Sequence, residues 1–323
     1  MNGEPGSAPR HRVEVQFSVV IATYQAADTL VEQFAALAAQ RTTFSFEVLV
    51  CDNGSTDGTR DLVAAWTGRL PGLRWVDASA RRGAGAARNV GAAEAAGEWL
   101  AFCDADDVVD PDWLQALGTA LLTAPVVAGR FGMEALNAPW AREARAADQQ
   151  DGLQNSPFPP YLPHAGAGNM GLHKAAFDAV SGFDPEALYL EDTDLSWRLQ
   201  LAGYSLVFCA EALVEIRLRA SMGRLYRQGY NYGASEAWLQ QRYAGVDAHV
   251  VEQSVDPVAE TSTTSPSGGE PGAVTMLRKL LAIRGRGTFG HFLWQLGWHV
   301  GHRRPPYPPP TPLRLSTGEV GAR

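Results

Sequence analysis

The chain has 323 residues, with 27 Lys and Arg against 35 Asp and Glu for a net charge of −8; 46% of residues are hydrophobic and 19% charged. This is the composition of a folded protein rather than a disordered one, and its acidity argues against a protein whose main task is gripping nucleic acid. Cys51, Cys103 and Cys209 fall in no ligand spacing, which argues against a disulfide framework or structural zinc and fits a reducing compartment. Residues 1–12 carry no leader-like pattern and predict a disordered start. No apolar run approaches the ~20 residues of a membrane span.

Phe17 to Thr23 is a short apolar, β-branched run that predicts a buried parallel strand. Leu30, Phe34 and Leu37 recur at helical spacing within Tyr24 to Gln40. Phe46 to Cys51 predicts a second buried strand, stopped by Asp52-Asn53-Gly54, with Ser55 or Thr56 placed to cap a helix through Trp66. Leu73 to Val76 predicts a third strand. The small-residue stretch Gly83 to Gly97 predicts a closely packed helix, Trp99 to Cys103 a fourth strand, and Asp112 the start of another helix.

The second half is less regular. Gly168 to Leu172 and Leu206 to Cys209 predict strands, Leu195 to Ala202 a helix behind a run of acids, and Arg219 to Tyr243 a long helix. From Met276 onward eight basic residues stand against one acid, Glu319, around the aromatic segment Thr288 to Val300. Arg flanks, Trp294, Trp298 and a preceding linker favour an amphipathic helix on a membrane surface; burial against the domain is the competing reading.

The alternation of apolar strands and helices predicts an α/β fold, a mostly parallel sheet covered on both faces. Ligands bind such sheets beyond the carboxyl ends of the strands. Three of those ends carry Thr23-Tyr24, Asp52-Asn53 and Asp104-Ala105-Asp106, and their convergence on one crevice is the main physical expectation. Alternate carboxylates at Asp104 and Asp106 suit Mg²⁺ or Mn²⁺ bridging to substrate phosphates, and helix capping is the bland alternative. Asp52 could accept from a nucleobase edge or simply form an Asx turn. Arg81, Arg82 and Arg88 lie around a small-residue loop that matches the dinucleotide fingerprint poorly, and they could face phosphates. Glu191 and Asp192 either sit at a helix N-terminus for electrostatic reasons or supply a general base.

Taken in order, FSVVIATYQAADTL, VLVCDNGSTDGT, GAGAARNVGAAEAAGEWLAFCDADDVVDPDWL, GAGNMGLHKAAFDAVSGFDP and LYLEDTDLSWRLQLAGY resemble family 2 glycosyltransferases of the GT-A fold. The resemblance implies a nucleotide-sugar donor, a divalent metal (Mg²⁺ or Mn²⁺) and inversion at the anomeric carbon. The acceptor would be a sugar, a polysaccharide or a lipid-linked molecule of cell-envelope or glycolipid synthesis, and nucleic acid is not a partner.

Carried over by residue, Thr23, Tyr24, Asp52, Asn53, Arg88 and Asp104 would bind the donor. Asp106 with Asp104 would hold metal. Gly168 and Asn169 would form an acceptor-side turn. Glu191-Asp192 would be the catalytic pair, with Asp192 the base. Relatives often carry a His shortly after the last strand; here the stretch is Val214-Glu215-Ile216-Arg217, so Glu215 substitutes, or an Arg steadies the diphosphate, or metal binds more weakly.

The expected organisation is a glycosyltransferase domain over 13–245, a linker over 246–275, an amphipathic helical segment over 276–303 and a proline-rich disordered tail over 304–323. The expected placement is cytoplasmic, with peripheral attachment to the inner face of the plasma membrane if residues 276–303 bind lipid. The rival readings are a nucleotidyltransferase on a similar core, a nicotinamide-linked oxidoreductase and a non-catalytic nucleotide-binding partner.

Overall fold

The computed structural model of the chain describes residues 15–145, 148–246, 279–304 and 308–313. The expected disordered start, and the expected linker apart from Val246, lie outside these residues. The first half runs β1 (Phe17–Thr23), α1 (Leu30–Ala38), β2 (Phe46–Asp52), α2 (Thr59–Trp66), β3 (Arg74–Asp77), α3 (Ala84–Glu94) and β4 (Trp99–Asp104). It continues through β5 (Val108–Val109), α4 (Trp113–Leu121), β6 (Val126–Gly132), α5 (Pro139–Ala144), β7 (Asn169–His173), α6 (Lys174–Ala179), α7 (Glu191–Leu201), β8 (Leu206–Glu215), α8 (Met222–Tyr243) and α9 (Arg286–His302).

The strands form one sheet in the order β3-β2-β1-β4-β7-β6-β8-β5. Its β3-β2-β1-β4 half is parallel. β7 pairs antiparallel with both β4 and β6, and β6 pairs parallel with β8. Alternate residues of β1 feed two cores. Val19 and Ile21 pack with Leu30, Phe34 and Trp113 on one face, and Val20 packs with Ala87, Phe177 and Leu195 on the other. This is the two-faced burial that continuous apolar strands require.

Several boundaries differ from expectation for local reasons. α1 begins at Leu30 rather than near Tyr24, because residues 25–27 are tied to the loop after β2: the Gln25, Ala26 and Ala27 amides donate to Ser55, Thr59 and Asp57 side chains. Ser55 is thereby used elsewhere, and α2 starts at Thr59 behind left-handed Gly58 (φ 90°). The acids 191–194 do not precede a helix; they are the first turn of α7, entered through left-handed Leu190 (φ 54°).

The aromatic C-terminal segment packs on the body. α9 lies against α8 and α5, with glycines from both helices at the α8 crossing. A Cβ added at Gly229 or Gly233 of α8 would collide with the Trp294 or Trp298 carbonyl, and one at Gly297 or Gly301 of α9 with the Tyr226 or Tyr230 carbonyl. Paired glycines four residues apart let the two backbones touch. Arg286 lies 3.9 Å over the Trp140 ring of α5. Part of the expected disordered tail is also held, in correction of that reading. The Leu313 amide donates to the Arg242 carbonyl at 2.8 Å, and its side chain joins a cluster with Trp238 and Tyr243. Among the described residues no helix is long and apolar enough to cross a membrane.

Candidate active site

The carboxyl ends of the parallel strands are level. Thr23 of β1 stands opposite Asp52 of β2, and Ala22 opposite Asp104 of β4. They open onto a cleft of about 1210 Å³ lined by Thr23, Tyr24, Asn53, Arg88, Asp104 and Asp106, and by Gly168, Glu191 and Asp192 from the second half. Thr23 is buried, and Tyr24 stands exposed at the rim. Asp52 departs from expectation. It is 3% exposed, and its carboxylate accepts from the Ser55 amide (2.9 Å) and the Trp75 indole (3.1 Å). Its neighbour Asn53 is the β2-end residue that lines the cleft, braced by bonds to the Ala78 and Arg81 carbonyls and from the Gly83 amide.

Small residues bring α3 against the site. A Cβ at Gly85 would come within 3.0 Å of Phe183 and 3.1 Å of the Glu191 side chain. This close approach buries Arg88, which donates to Asp104 at 2.6 Å and to Glu191 at 2.9 Å. Burial opposes charge on Arg88, but Asp104, Glu191 and Asp192 outweigh it and raise its pKa. Glu191 is raised to about 7, by burial first and then by Asp192, against the pull of Arg88. Arg81 is directed elsewhere, onto the Pro185 carbonyl, and Arg82 lines the cleft.

Beyond β4, Asp106 Oδ2 accepts from Arg219 at 3.1 Å. Its pKa is raised by burial and by Asp104, with Arg219 opposing. Asp107 is buried and accepts from the Arg217 amide, while the Arg217 guanidinium binds the Asp106 carbonyl and Glu32. Glu215 is turned away, accepting from the Ala135 amide, and lines no part of the cleft. Where relatives were expected to carry a His, Arg217 and Arg219 are the residues that reach the cleft, which favours the arginine alternative. In the sequence Arg219 carries no signal beyond its place at the start of a predicted helix.

Asp192 Oδ2 accepts from the Ala167 amide (3.0 Å) and Oδ1 from the Thr193 amide (2.9 Å). Its pKa is raised, burial outweighing those bonds. Gly168 allows close approach, since a Cβ there would lie 3.0 Å from Asp104 Oδ2. Asn169 does not face the acceptor side. It is fully buried, donating to the Arg130 and Ala212 carbonyls and accepting from the Trp113 indole; it locks β7 to its neighbours.

The strand-end acids Asp104 and Asp106 and the pair Glu191 and Asp192 line one cleft, and Arg88 bridges Asp104 to Glu191. The family model for glycosyl transferase family 2 matches residues 18–180, half of the chain. The chain belongs to that family.

The chain is similar to three further proteins. The succinoglycan biosynthesis protein ExoO of Rhizobium meliloti is 41% identical over 98 residues, covering 30% of this chain and 27% of that protein. The glycosyltransferase AglE of Haloferax volcanii is 26% identical over 231 residues, 70% of this chain and 75% of that one. A mannosyltransferase from Pyrobaculum calidifontis, solved with GDP-Man and Mn²⁺, superimposes with a TM-score of 0.57 at 15% identity, over 89% of this chain and 86% of its own. That last likeness shows the GT-A-like fold of this family 2 transferase.

Proposed function

We propose that this family 2 transferase moves a sugar from a nucleotide-diphosphate donor to an acceptor hydroxyl in a single inverting displacement. One observation carries the reading: carboxylates from distant segments, Asp104 and Asp106 after β4 and Asp192 at the start of α7, line one cleft. In this reading Thr23, Tyr24 and Asn53 hold the nucleoside end, and Arg217 and Arg219 face the diphosphate. Asp192 takes the proton from the attacking hydroxyl; its raised pKa suits it as an acceptor of that proton. Arg88 positions Asp104 and Glu191, and in-line attack asks that Asp192 and the leaving diphosphate stand on opposite sides of the sugar.

The donor set fits a divalent cation. Asp104 Oδ1 accepts from Arg88 while Oδ2 lies toward Gly168, and Asp106 lies two residues on. Mg²⁺ and Mn²⁺ sites of this kind use one or two carboxylates and complete their shell with phosphate oxygens and water. No three-sided cluster of His, Cys, Asp or Glu able to hold a metal occurs among the described residues, so substrate would complete the shell here. When bound, the cation would neutralise charge gathering on the departing diphosphate.

The test is thermal stability with a panel of nucleotide sugars, with Mn²⁺ or Mg²⁺ and with chelator. At a hundredfold excess over Kd, a true donor adds ~2.7 kcal/mol to apparent stability. Asp106→Ala is expected to lose the metal-dependent part of that gain. Equal stabilisation in chelator for the unaltered protein would remove the metal from this reading.

Two relatives are succinoglycan biosynthesis proteins, which supports a role in polysaccharide or envelope synthesis. We place the catalytic unit at residues 13–245, work at the inner face of the plasma membrane, and give the C-terminal region the membrane contact. Leu280, Leu281 and Phe289 are exposed beside Arg284 and Arg286. Flotation with anionic vesicles is expected for the intact chain and lost in a Leu280→Glu, Leu281→Glu variant. Equal flotation of both would remove the lipid contact.

A further inference from the structure

A second cavity of about 460 Å³ reaches the same acids from the other side. Asp104, Asp106, Asp192, Arg219 and Tyr232 line both spaces. The first is walled by strand ends and the start of α3; the second is walled by the 154–158 loop, α8 and α9. A group-transfer site needs two reactants to meet at one base, and the two chambers meet at Asp192.

The walls of the second chamber indicate its occupant. Phe131, Phe158 and Trp294, each partly exposed, supply aromatic surface. The Trp294 indole N–H is buried with no partner among the described residues, and a ligand oxygen would satisfy it. Glu236 holds the Trp298 indole at 2.9 Å and offers acceptor oxygens. Burial, with Asp192 and Glu191 nearby, raises the Tyr232 phenol, so its hydroxyl keeps a proton to donate.

Six carboxylates line this chamber against three arginines, of which Arg217 and Arg219 also face the donor cleft and Arg145 pairs with Asp148. Asp192 and Glu236 form no ion pair with them, so an anionic ligand would meet carboxylate. Hydroxyl groups both donate and accept, and pyranose rings present apolar C–H faces to aromatic side chains.

We propose that the second chamber is the acceptor site, that its occupant is an uncharged saccharide, and that Tyr232 and Glu236 of α8 and Trp294 of α9 orient it toward Asp192. This rests on the transferase reading. It places acceptor selection on helices beyond the residues matched by the family model.

The test is saturation-transfer NMR on the full chain. The probes are methyl β-glucoside, maltose, cellobiose and lactose, with farnesyl phosphate as the anionic alternative. At least one neutral saccharide is expected to receive saturation. Trp294→Phe keeps the ring bulk and removes the N–H, and Glu236→Gln removes the charge; each is expected to raise that saccharide's Kd ~tenfold, the effect of one lost hydrogen bond to an exacting partner. Nucleotide-sugar binding, read by thermal shift on the same samples, is expected to persist.

Silence of every saccharide overturns the proposal, whether or not farnesyl phosphate binds. So does saccharide affinity unchanged in both variants. If no nucleotide sugar stabilises the unaltered protein, the transferase reading fails instead, and that readout comes from the other chamber.

Discussion

Asp192→Asn will slow sugar transfer by roughly 10³-fold, the scale on which a positioned general base contributes, while donor affinity holds. The side chain is fixed at both oxygens, by the Ala167 and Thr193 amides. An Asn offers only one oxygen, so one of those amides loses its partner, at a stability cost of about 1–3 kcal/mol. That cost shows in denaturation, whereas the loss of the base shows in kcat with little change in the donor KM. Measuring both separates the two effects. Unchanged kcat would move the base to another group, and Glu191, raised to about 7, is the neighbouring candidate.

Arg88→Met is expected to lower stability by about 3 kcal/mol at pH 8, the low end for breaking a buried ion pair from one side. The low end applies because the Asp104 side chain is 38% exposed and water can take over part of its charge, whereas Glu191 is nearly enclosed. The cost should shrink at pH 5. Glu191 in the folded protein is raised from an ordinary 4.5 to about 7. Folded chains therefore hold a proton that unfolded chains release across that interval, and this group's contribution to stability falls as pH rises through it. At pH 5 Glu191 is protonated in the native state, so the variant gives up chiefly the Asp104 pair; at pH 8 it strands an ionised Glu191 as well. Urea denaturation of both proteins at the two pH values checks this. A difference independent of pH would mean that Glu191 titrates in the ordinary carboxylate range.

The elements around the cleft were legible because β1, β2 and β4 are apolar runs, the last two stopped by acids, a local signal. The phase at a strand end was not. Adjacent side chains point to opposite faces, so whether Asp52 or Asn53 meets the cleft depends on pairing with β1 and β3, and Asp52 turned to the Trp75 indole. Asn169 departs from expectation for a related reason. In a Gly-rich turn its amide looks available, but its partners Trp113, Arg130 and Ala212 come from distant segments. The burial of Arg88 could not be foreseen from its own neighbourhood, because Glu191 lies 103 residues away in the chain. The four-residue glycine spacings in GYNYG and GWHVG were visible, but nothing local says that they face each other.

The glycine contact between α8 and α9 has an evolutionary corollary. The glycine seam, with the Trp298–Glu236 bond and Arg286 on the Trp140 ring, fixes where α9 lies, so residues away from those contacts can change while the helix keeps its place. If α9 orients the acceptor as proposed, variation along residues 286–302 would retune which molecule is glycosylated while the strand-end chemistry stays untouched.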